Sequence, residues 1–93
     1  MLVLVYFNWA GTSEEFKEFA DRIKSIIDGT VGLELSGIFI PISEWHYTMV
    51  IKAASYEKVL QVNKTYVEKY GHTKVSLAKV ELLHTFEEFG WVP

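Results

Sequence analysis

Residues 31–53, VGLELSGIFIPISEWHYTMVIKA, carry the pattern from which the rest of the chain can be read. Residues 31–40 are rich in leucine, isoleucine and phenylalanine and stop at Pro41; residues 45–53 are again β-branched and aromatic, as strands prefer. The five residues 41–45 between them suit the turn of an antiparallel hairpin. If Ile40 faces His46, then Ile38 faces Thr48, Ser36 faces Val50 and Glu34 faces Lys52, which sets opposite charges across from one another. The alternate positions pair Phe39 with Tyr47, Gly37 with Met49 and Leu35 with Ile51, so one face is mixed and the other nearly all apolar.

Upstream, residues 2–7 (LVLVYF) are apolar on both sides, which predicts a central strand covered on both faces. Gly11 breaks that run. Thr12 with Glu15 three positions on forms a capping box, and Glu14 and Glu15 suit the positive end of a helix. Phe16, Phe19, Ala20, Ile23, Ile26 and Ile27 follow at helical spacing, with the charged residues on the opposite side. Asp28-Gly29 should end this helix, the glycine being free to turn left-handed.

Downstream, Ser55 is placed to cap a second helix running to about Tyr70, with Gly71 as its stop. Its inner stripe of Val59, Leu60, Asn63, Tyr66, Val67 and Tyr70 is more polar than that of the first helix, which singles out Asn63 and the tyrosines. Residues 74–84 alternate as a fourth strand, with Ser76, Ala78, Val80, Leu82 and His84 on one side and Val75, Leu77, Lys79, Glu81 and Leu83 on the other. Phe86, Phe89 and Trp91 then need a surface to pack on.

This order of elements predicts an α+β, ferredoxin-like βαββαβ domain spanning residues 1–93. Two right-handed crossovers would set both helices on one face of a four-stranded antiparallel sheet. Leu2, Leu4, Tyr6, Leu33, Leu35, Phe39, Tyr47, Met49, Ile51, Ala78, Val80 and Leu82 are expected beneath the helices. The other face would carry Val3, Val5, Phe7, Ile38, Ile40, Val50 and Leu77, together with Leu83, among Glu34, His46, Thr48, Lys52, Lys79 and Glu81. An aliphatic face of that extent is larger than soluble monomers expose, so a homodimer is expected, with the first seven of these residues as its interface. The alternative is a monomer whose C-terminal aromatics fold over the same face.

Composition narrows the function. With 49% hydrophobic and 15% aromatic residues the chain is built to fold. Nine basic against twelve acidic side chains give a net charge of −3 with no basic patch in sequence, which argues against nucleic acid as a partner. The apolar start is too short to span a bilayer and lacks the features of a signal peptide, so no membrane partner is expected. The absence of cysteine excludes disulfides, thiolate metal sites and a cysteine nucleophile, and a cytoplasmic location is the simplest expectation. No phosphate loop, nucleophile elbow, zinc-binding helix or dinucleotide fingerprint occurs. The expectation is therefore no cofactor and no metal, leaving cofactor-free chemistry or none.

The element order, the length, the aliphatic first strand, Glu44-Trp45-His46 leading into the third strand and the aromatic-rich ending resemble the dimeric α+β-barrel superfamily, in particular its small members of unknown function. The resemblance is architectural and covers the whole chain. It implies two ferredoxin-like subunits whose sheets pack face to face. The superfamily includes haem-degrading and antibiotic-biosynthesis monooxygenases and isomerases, so the fold does not assign a reaction. Asn8 and Trp45 are similar to residues of the haem-degrading branch, but that branch's iron-binding histidine has no counterpart in the second helix here.

Candidate site residues follow from chemistry. Asn8 is either an amide that orients a ligand's carbonyl or hydroxyl, or a turn residue before Gly11. His46 is either a general base or metal ligand, or a histidine satisfied at a sheet–sheet interface. Tyr6, Asn8, Trp45, Tyr47 and Tyr66 are expected to line a cleft for a small apolar or aromatic molecule, with ordinary core packing as the alternative for the aromatics. The functional expectation is a small-molecule binding protein or cofactor-independent isomerase or monooxygenase, with a self-association module as the alternative.

Overall fold

The computed structural model describes residues 1–42, 46–71 and 74–85. The elements run β1 (Leu2–Trp9), α1 (Ser13–Asp28), β2 (Leu33–Phe39), β3 (Tyr47–Ala53), α2 (Tyr56–Tyr70) and β4 (Val75–Leu83). The strands form one antiparallel sheet in the order β2-β3-β1-β4, which is the ferredoxin-like arrangement. Among the described residues no helix is long and apolar enough to cross a membrane.

Helix α1 begins as its sequence dictates. The Thr12 hydroxyl accepts from the Glu15 N–H at 3.2 Å, and the Thr12 N–H donates to the Glu15 carboxylate at 3.1 Å. Phe16, Phe19, Ile23 and Ile27 are buried along one stripe. The helix ends at Asp28, but Gly29 stays right-handed at φ −83°; the left-handed turn into β2 falls instead on Gly32 at φ +88°. Ser55 stands at the start of α2 without a side-chain capping bond, and Gly71 leaves that helix at φ +75°.

The faces of the sheet differ from the sequence expectation in β1. Val3 and Phe7 are 0% and 2% exposed in the core beneath the helices, with Val5 packed against them. Pairing follows suit: Val3 lies opposite Ile51, Val5 opposite Met49 and Phe7 opposite Tyr47. Leu2, Leu4, Tyr6 and Asn8 therefore occupy the open face. Both sides of β1 are apolar, so the strand has no alternation that fixes its orientation.

Two irregularities account for the remaining corrections. Glu34 does pair with Lys52 and Leu35 with Ile51, but Ser36 is an extra residue, after which Gly37 meets Val50, Ile38 meets Met49 and Phe39 meets Thr48. Ile38 thereby turns beneath the helices and Phe39 turns out, since one inserted residue exchanges the two faces. The Phe39 ring lies over Gly37, whose missing Cβ would stand 3.1 Å from it. In β4, Ala78 is extra: Tyr6 pairs with Lys79 but Phe7 with Leu77. Val75 and Leu77 before it and Val80 and Leu82 after it thus all share the helix side. Of the expected interface set, Val3, Val5, Phe7, Ile38 and Leu77 belong to the helix side, while Val50 lies on the open face. Ile40 follows the end of β2 and is 62% exposed.

Candidate functional site

The inner surface is built around an aromatic cluster at one end. Phe7 stacks with Tyr47 at 5.5 Å between ring centroids, Tyr47 lies 5.0 Å from Phe16, and Trp9 meets Phe16 and Phe19 at 5.4 and 5.2 Å. The Trp9 indole N–H donates to the Thr12 carbonyl at 3.2 Å, which ties the end of β1 to the start of α1. Helix α2 leans on α1 through Tyr66 against Phe19 and through the Arg22 guanidinium, 4.4 Å from the Tyr70 ring centre. Its buried residues are Val59, Val62 and Tyr66, so the Leu60–Asn63–Val67 side of the helix overhangs β1 and β4.

A cleft of about 300 Å³ opens beneath that overhang. Val5 and Phe7 of β1, Val75, Leu77 and Val80 of β4, and Met49 and Ile51 of β3 form its floor. Phe19 and Ile23 of α1 and the α2 residues from Tyr56 to Val67 that face inward form its walls. The volume is at the small end of ligand pockets, which run to roughly 1,000 Å³. Among the described residues its side-chain polar groups are the hydroxyls of Tyr56 and Tyr66 and the amide of Asn63. Among the described residues the lining holds no carboxylate, histidine, lysine, arginine or serine.

The open face has polar groups at one end. His46 Nδ1 lies 2.8 Å from Asn8 Oδ1, and Ser76 stands opposite Asn8 in β4. One step along β1, the Tyr6 hydroxyl donates to Glu81 Oε2 at 3.1 Å, and Glu81 Oε1 holds Lys79 at 3.0 Å. Partial desolvation, then the hydrogen bond to Glu81, raises the Tyr6 pKa, while the Lys79 and Tyr6 hydrogen bonds lower that of Glu81. Beyond this group the face carries Leu2, Leu4, Val50 and the 57% exposed Phe39.

Of the residues expected to line a cleft, Tyr66 does so. Tyr6 and Asn8 lie on the opposite face, Tyr47 belongs to the aromatic cluster, and Trp45 falls outside the described residues, as does Glu44. The fold brings Asn8 and His46, separate candidates in the sequence, together as a hydrogen-bonded pair away from the cleft. Sequence reasoning missed Tyr56 and the floor residues Val5, Phe7 and Leu77. The available signal was that Asn8 and Tyr6 make their set the more polar side of β1. Among the described residues no three histidine, aspartate or glutamate side chains gather where they could hold a metal ion.

Compared with protein-family models, curated proteins and solved structures, the chain matches none.

Proposed function

We propose that the protein binds a small, mainly apolar molecule in the cleft beneath α2, and does so as a homodimer joined through the open sheet faces. The observation that carries the reading is the cleft itself: about 300 Å³ of space walled by aliphatic and aromatic side chains where α2 stands away from β4. An apolar lining with a few polar groups is what small-molecule sites generally have. Pairing of the open faces, as in the superfamily the sequence resembles, is supported by the half-buried Leu2, Leu4 and Val50 and by Phe39.

Naphthalene titrated into protein labelled at its methyl groups tests the ligand site. Shifts at Val5, Leu60, Val67 and Leu77 support the cleft, and shifts confined to Leu2, Leu4 and Val50 sink it. Light scattering at micromolar concentration tests the dimer, which Val50→Lys should split. A second reading, a module whose role is self-association alone, rests on the same open face and would be favoured by a dimer that takes up no naphthalene.

A further inference from the structure

Tyr66 is 4% exposed and lines the cleft, yet among the described residues its hydroxyl has no hydrogen-bond partner. A buried phenol normally has one, because removing a hydroxyl from water without replacing its bonds is costly. Phenylalanine would fill the same space without that cost. The ring is held edge-on to Phe19 at 5.4 Å between centroids and packs on Tyr70 at 5.2 Å, so its position is set by neighbours on both helices. One turn earlier on α2, Asn63 lines the same cleft with an amide that can both donate and accept. Among the described residues no charged side chain shares the lining, and a buried charge without a partner is strongly disfavoured.

We infer that the ligand is an uncharged, largely apolar molecule bearing a carbonyl or hydroxyl oxygen, and that this oxygen pairs with the Tyr66 hydroxyl. The inference rests on the reading of the cleft as a ligand site and narrows the class it takes. Hydrocarbons leave the hydroxyl unsatisfied, and carboxylates or amines bring a charge that none of the described lining residues meets.

The test uses the full chain with naphthalene, 2-acetonaphthone and 2-naphthoate, against wild type and Tyr66→Phe. The ketone should bind roughly fivefold to tenfold more weakly to Tyr66→Phe, the worth of one neutral hydrogen bond, while naphthalene affinity stays unchanged. The naphthoate should bind at least about tenfold more weakly than the ketone to wild type. Without ligand, Tyr66→Phe should melt no lower than wild type, since it removes an unpaired group. Ketone affinity equal in both proteins overturns the inference and leaves the cleft reading standing. A lower melting point for ligand-free Tyr66→Phe also overturns it, by revealing an intramolecular partner. If neither naphthalene nor the ketone binds wild type, the cleft reading falls and the inference with it.

Discussion

Asn8 Oδ1 lies 2.8 Å from His46 Nδ1, joining β1 to the residue that leads into β3 on the open face. An amide oxygen only accepts, so the contact needs the hydrogen on Nδ1 and leaves Nε2 as the acceptor of the neutral ring. Nitrogen-15 NMR should find the neutral His46 ring as the Nδ1–H tautomer, and Asn8→Ala should move the population toward Nε2–H. A ring already dominated by Nε2–H in the wild type would show that the two side chains do not meet this way in solution.

Glu15 joins three parts of the chain. Its carboxylate takes Lys74 Nζ at 2.5 Å and the Thr12 N–H, and these two bonds, in that order, lower its pKa from 4.5 to about 2. The unfolded chain therefore binds the proton more readily than the folded one. The associated stability is complete above about pH 4.5 and disappears as the pH falls toward 2. Glu15→Gln should melt lower than wild type at pH 7, with the two curves converging between those limits. Parallel curves down to pH 2 would remove Glu15 from the acid response.

The orientation of β1 has a mutational signature. Phe7→Ala should cost about 3–5 kcal/mol in urea denaturation, as expected for a buried aromatic residue. Leu4→Ala, on the open face, should cost less than half as much when the chain is dilute enough to be monomeric. The reverse ranking would return Leu4 to the core.

Gly71 leaves α2 at φ +75° and ψ −175°, a conformation that is essentially restricted to glycine. A Cβ there would meet nothing within 4 Å, so Gly71→Ala isolates the backbone cost, about 1–3 kcal/mol in the denaturation midpoint. Gly29→Ala, at φ −83°, should cost far less or stabilise slightly. Equal losses at both positions would contradict the assigned dihedrals.

The order of elements, both helices and the start of the β2–β3 pairing were legible because each rests on local chemistry: the Thr12–Glu15 box, the Phe16-to-Ile27 stripe, the Glu34–Lys52 pair. What escaped depends on contacts distant in sequence. From Leu2 to Phe7 both sides of β1 are apolar, and Tyr6 and Asn8 give the one local hint of which side faces out; the strand's partners decide it. Ser36 and Ala78 look like ordinary members of alternating runs, yet each shifts the register and exchanges the faces beyond it. Asn63 stood out as a polar residue in an apolar stripe. Tyr66 was legible as an aromatic candidate, but that its hydroxyl has no partner among the described residues emerges only once α1 and α2 are packed.

The sheet order leaves β2 and β4 as the outer strands, and each carries one of the two irregularities. An outer strand with a straight row of free backbone groups is a template for another chain to add to, which leads to swapped or fibrous assemblies. An inserted residue bends that row and spoils its spacing. Ser36 and Ala78 thus discourage growth at both rims, which leaves the broad surface of the sheet as the safer place to meet a neighbour.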